Sequence, residues 1–150
     1  KSFVEKNPHL KGKDIEITRK ACEKFKTIPV SVMNFVEGTR FTRAKHDKQN
    51  SPYRYLLKPK AGGIGFVLST MGEQLTNILN VTIVYPQGVG SFWDFLCNRV
   101  NQIKVNVETL PIDKEILGDY INDPEHQRKF QDWLNKLWQD KDKKISSMMK

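Results

Sequence analysis

At 150 residues the chain has the length of one ordinary domain, enough to bury a core without staples. Its 25 lysines and arginines against 17 acidic residues leave a net charge of +8, which favours anionic partners such as phosphates, lipid headgroups or nucleic acid without choosing among them. No run approaches the ~20 apolar residues of a membrane span, no signal-like stretch opens the chain, and Cys22 and Cys97 lack the close spacing of a metal knuckle or redox pair, so both read as buried thiols in a reducing compartment.

The chain starts at Lys1 rather than at a methionine and enters a polar, turn-rich segment, as a piece of a longer protein would. After Gly12 and Asp14, the residues Ile15, Thr18, Cys22 and Phe25 recur at helical spacing, with Arg19, Lys20, Glu23 and Lys24 on the outer face, and predict a surface helix. Past Pro29 the near-continuous apolar run VSVMNFV predicts a strand covered on both faces, ending at Glu37. Residues 41–60 are polar and basic, contain Pro52 and Pro59, and predict a long ordered loop of the kind that usually serves function.

The next stretch, AGGIGFVLSTMG, sets Ile64, Val67, Leu68 and Met71 on one helical stripe, with Gly62, Gly63 and Gly65 permitting close approach and Gly72 as the stop. LNVTIVYP predicts a second core strand closed by Pro86, followed by a short helix carrying Phe92, Trp93, Phe95 and Leu96. IKVNVETLP alternates strictly, Ile103, Val105 and Val107 against Lys104, Asn106 and Glu108, as a half-exposed strand near a sheet edge does. Asp123 as cap and Pro124 at the first position open a long amphipathic helix, on which Phe130, Trp133, Leu134, Leu137, Trp138 and Ile145 form a stripe that reads as core rather than lipid surface. The alternation of helices and strands predicts an α/β layered domain, with a mixed, mostly parallel sheet flanked by helices. The whole of 1–150 reads as part of a single domain, with its core in residues 12–112 and a helical extension in 122–148.

In open α/β sheets, ligands gather beyond the carboxyl ends of strands, which is where Glu37, Gly38, Thr39 and Arg40 fall. An arginine fork matches phosphate or carboxylate oxygens, a neighbouring glutamate fixes the fork or accepts hydroxyl protons, and a glycine lets the backbone turn sharply or approach the ligand. The plain alternative is a surface ion pair between Glu37 and Arg40.

The surroundings weigh on the other side. FVEGTRFT resembles the Glu-Gly-Thr-Arg motif of the 1-acyl-sn-glycerol-3-phosphate (lysophosphatidic acid) acyltransferase family. The continuation through Phe41, Thr42, Lys45 and His46 is similar to the branch containing the lysocardiolipin and related lysophospholipid acyltransferases. LLKPKAGGIGF resembles the family's proline-basic-glycine segment at Pro59, Lys60 and Gly63, and NVTIVYP its last hydrophobic block at Ile83, Val84, Tyr85 and Pro86. The ordered set spans residues 12–112 and is more specific than any one member. Val36 and Phe41 stand where the commoner bacterial motif has proline and serine, which bears on the identity of the acyl acceptor.

The resemblance implies a glycerolipid acyltransferase-like fold and transfer of a fatty acyl group from acyl-CoA or acyl carrier protein to a lysophospholipid, with no cofactor and no metal. It implies that Arg40 and Lys60 neutralise the acceptor phosphate, that Glu37 holds Arg40 or the glycerol oxygens, and that Tyr85 and Pro86 shape an apolar wall. It further implies that the chain is a carboxy-terminal part, inactive alone, of an enzyme at the cytoplasmic face of a membrane, its Asn-His-four residues-Asp block lying upstream. No residue here fills the catalytic role. His9 and Asp14 imitate the interval, but Pro8 separates His9 from Asn7, and the pair reads as a turn capping a helix. His46 reads as a solvated loop side chain and His126 as exposed in the first turn of the last helix. The alternatives are a non-enzymatic basic module that binds anionic membrane or nucleic acid, and a catalytically degenerate paralogue. No helix-turn-helix, RNA-recognition or zinc-finger signature supports nucleic acid.

Overall fold

The structure, a computed structural model, describes residues 29–150. The expected helix over Ile15–Phe25, with Cys22, and the His9–Asp14 pair lie outside the described residues. The elements are α1 (Arg43–Gln49), α2 (Ala61–Met71) continued by a 3-10 turn (Gly72–Gln74), β1 (Asn77–Val84), α3 (Phe92–Leu96), β2 (Lys104–Pro111) and α4 (Pro124–Met148). The fold is mixed helix and strand, built on a small antiparallel sheet and a long C-terminal helix.

The helices have local causes. Asp123 caps α4 by accepting from the Glu125 and His126 amides, with Pro124 in the first turn. Ser91 and Asp94 form a reciprocal capping box on α3. The α2 stripe buries Leu68 and Met71, and Gly65 lets Tyr120 lie so close that a Cβ would sit 2.5 Å from its ring. The predicted loop at 41–60 instead contains α1, capped by Thr42 and ended by Asn50 at φ +46°. That helix buries no residue, so no apolar period announced it.

The core joins the segment around Tyr53 and Leu56, α2, Val84 at the end of β1, Ile116 and one face of α4. Phe130, Leu134, Trp138 and Ile145 are buried along α4, with Trp133 and Leu137 packed at its margin, so the aromatic stripe is core as expected. The α4 helix also pins the chain before α2. The Asp142 carboxylate accepts from the Arg54 and Tyr55 amides at 2.9 and 2.8 Å, and the Tyr53 hydroxyl donates to the Asn135 carbonyl at 3.2 Å.

Two expectations need correction. The sheet formed by the described residues is two-stranded and antiparallel, with Val81 opposite Val107 and Ile83 opposite Val105, rather than mixed and mostly parallel. The run VSVMNFV forms no strand, with Met33 82% and Phe35 80% exposed, because no strand among the described residues receives its backbone groups. β2 is half-exposed as read, but its apolar half faces outward. Leu79, Val81, Ile83, Ile103, Val105 and Val107 are exposed, whereas Asn80 and Thr82 are buried. The inversion follows from hydrogen bonding under the sheet. Lys141 Nζ on α4 donates to Asn80 Oδ1 and the Val81 carbonyl, both at 2.7 Å, Asn80 Nδ2 donates to Glu108 Oε2 at 3.2 Å, and Lys144 pairs with Glu108 at 3.1 Å. Lys104 reaches the Met148 carbonyl at 2.8 Å.

Candidate functional site

Val36 packs on the core and its carbonyl accepts from the Lys60 amide at 2.8 Å, which fastens residues 35–38 beside the start of α2. The chain then turns, the Gly38 amide donating to the Phe35 carbonyl at 2.8 Å, and Gly38 takes φ +68°, a left-handed conformation open mainly to glycine. Sequence reasoning placed a glycine here for a sharp turn, and the backbone uses it so. The Lys60 side chain lies over Gly38, its Nζ 3.4 Å from where a Cβ would stand.

Lys60 is the N-cap of α2 and makes no side-chain cap hydrogen bond, so the first-turn amides of Ala61, Gly62 and Gly63 carry no such partner. Asn34 faces that same turn, its Nδ2 3.1 Å from a notional Cβ on Gly63. Across the turn, Lys45 Nζ donates to Thr39 Oγ1 at 2.7 Å and to the Arg40 carbonyl at 3.2 Å. Arg40 is exposed and enters no ion pair among the described residues. Gly38, Thr39, Arg40 and Lys60 are thus assembled with Lys45 around one tight turn, at the positive end of a helix.

Glu37 departs from expectation. It is half-buried, and the groups that act on it belong to Leu57, Trp138 and Lys141, not to Arg40. Burial raises its carboxyl above the ordinary value, opposed by the Leu57 amide, the Trp138 indole and the Lys141 ammonium. Trp138 Nε1 is itself buried and reaches no partner at hydrogen-bonding distance and angle, so it acts on Glu37 as a nearby dipole. Lys141 is pushed down by burial, with Glu37 and Glu108 opposing. Its Nζ lies 5.2 Å from the centre of the Trp138 ring.

Other sequence candidates fall elsewhere. Tyr85 and Pro86 are half-exposed at the turn after β1, outside the buried core cluster, where the Tyr85 carbonyl accepts from Gly88. His46 is not a solvated loop residue: its side chain is 13% exposed, with Nε2 donating to the Tyr53 carbonyl at 2.6 Å. His126 is half-buried against Phe130, and Cys97 is exposed rather than buried. Among the described residues no cluster of histidine, cysteine and carboxylate side chains could hold a metal ion. None of the helices described is long and apolar enough to cross a membrane. The two concavities described, of about 280 and 660 Å³, are lined by residues around Gln87–Gln102 and Leu68–Asp119, so neither is lined by Arg40 or Lys60. The turn is an open, basic surface.

Lys45 is the residue that single-motif reasoning undervalued. Its position six residues after Thr39 places it in the first turn of α1, and that helix was the element hidden from the periodicity. Comparisons of the chain with protein-family models, with curated proteins and with solved structures find no match.

Proposed function

We propose that the chain is the acceptor-phosphate half of a lysophospholipid acyltransferase. In this reading Arg40 and Lys60, joined by Lys45, neutralise the phosphate of a lysophosphatidic acid-like acceptor while its free hydroxyl takes the acyl group from an acyl-CoA or acyl carrier protein thioester. Gly38 gives the phosphate close access to backbone, and the uncapped α2 N-terminus adds partial positive charge. Preorganised charge of this kind positions the acceptor, which is a large share of catalytic gain. Glu37, by contrast, acts through the fold: turned toward α4, it sets the turn rather than gripping Arg40.

The observation that supports this reading most is an exposed Arg40, in no ion pair among the described residues, beside a left-handed Gly38 that lies under Lys60. The reading makes the described elements the carboxy-terminal part of one layered α/β domain of glycerolipid acyltransferase type, whose upstream portion carries the histidine and aspartate of the chemistry and covers the open sheet face. The acceptor sits at the cytoplasmic face of a membrane.

Two tests follow. The coding sequence upstream of Lys1 is expected to encode Asn-His, four residues and Asp; a start codon immediately before Lys1 would count against the reading. In the full-length protein, Arg40→Ala is expected to raise KM for lysophosphatidic acid by about tenfold or more, the worth of one charge-assisted hydrogen-bond pair. Unchanged acceptor kinetics would remove Arg40 from the site.

A further inference from the structure

Among the three tryptophans, Trp138 is 7% exposed, Trp133 is half-buried, and Trp93 on α3 is 70% exposed. Phe92, Phe95 and Leu96 on the same five-residue helix are 70%, 58% and 56% exposed, and Val89 just before it is 81% exposed. Phe92 and Trp93 meet edge to face, with ring centres 6.1 Å apart. The α3 helix lies in the connection between β1 and β2 and makes no extended packing with another helix or strand among the described residues. A rigid capping box holds it folded there, although it buries none of its residues.

We infer that α3, through Val89, Phe92, Trp93, Phe95 and Leu96, is a docking tip for an anionic lipid surface. This rests on the acyltransferase reading, since it names the surface from which that acceptor is drawn, but its physical grounds are separate. Tryptophan and phenylalanine favour the headgroup boundary of a bilayer, where an amphipathic ring keeps an apolar body and a wet edge. The chain's net charge of +8 complements an anionic bilayer and adds attraction to the apolar contact. A protein groove that binds a helix reads anchors over two turns or more, and α3 has five residues, too few for that mode. With no membrane-crossing helix among the described residues, the contact is interfacial.

The test uses the 150-residue chain and vesicles of phosphatidylcholine with and without phosphatidylglycerol, free of any lysophospholipid. Co-sedimentation with the phosphatidylglycerol vesicles is expected, weakening as salt rises. Trp93 emission is expected to shift to the blue and to be quenched by brominated lipids. The double variant Phe92→Ser, Phe95→Ser keeps the reporter and is expected to bind about tenfold more weakly. Its circular dichroism is expected to match the parent, because neither ring touches the core.

Absence of co-sedimentation overturns the proposal, as does vesicle binding without a change at Trp93. A concentration-dependent dimer lost in the double variant, with no vesicle binding, would assign the tip to protein instead. Because no acceptor is present, failure here leaves the Arg40→Ala kinetics untouched, and unchanged Arg40→Ala kinetics leave vesicle binding untouched.

Discussion

Gly38 and Glu37 are neighbours with opposite tasks, and substitution separates them. At φ +68° an alanine at position 38 meets backbone strain of about 1–2 kcal/mol, whereas crowding is minor because the nearest atoms belong to the flexible end of Lys60. Gly38→Ala is therefore expected to lower stability by about that amount in urea unfolding. Glu37 gives a pH signature. Burial raises its folded pKa above the ordinary value, so between the unfolded and folded values the native state holds the extra proton, and stability falls as pH rises through that window. Glu37→Gln removes this loss, so the stability of the variant relative to the parent is expected to increase as pH rises above the ordinary glutamate range in paired urea titrations. A constant difference over that rise would mean that the carboxyl is not held in the interior. The motif letters marked both residues as special, but they did not reveal that Glu37 faces α4, because its partners lie about twenty residues and about a hundred residues away along the chain.

The elements legible from the chain were those with a strong local signal. α2, α3, β1, β2 and α4 each carry an apolar period or a cap, and each is found within a few residues of where the pattern puts it. α1 was missed because it is held by Thr42 and Asn50 and not by a buried stripe. The apolar run at 30–36 failed in the opposite sense, since a strand is defined by a neighbour's hydrogen bonds and no strand among the described residues lies alongside it. At this scale the contact that fixes the approach to α2 is Asp142 against the Arg54 and Tyr55 amides. Asp142→Ala is expected to cost about 1–3 kcal/mol by thermal or urea unfolding. Asp140→Ala, which removes a solvent-exposed pair with Lys143, is expected to change stability by less than about 0.5 kcal/mol. Equal effects would show that the Asp142 contact is not anchoring the loop.

In the molecule as a whole, α4 is the spine: it buries Phe130, Leu134, Trp138 and Ile145 and presents Lys141 and Lys144 to the polar underside of the sheet. In the 150-residue chain Leu134→Ala is expected to cost about 2–5 kcal/mol, while Ile83→Thr and Val105→Thr, on the open apolar face, are expected to cost less than about 1 kcal/mol each in the same urea assay. A large loss at Ile83 or Val105 would mean that this face is covered in solution. The sequence by itself determined the cap of α4, the strand and helix periods, the core stripe of α4 and the need for glycine at position 38, because each depends on residues within a turn or two of one another. Only the tertiary structure decided which sheet face is buried, that Glu37 turns from Arg40 toward Lys141, and that Trp93 and not the α4 tryptophans meets the outside. Those outcomes depend on which charges and polar groups far apart in the chain find partners, a competition that local pattern does not record.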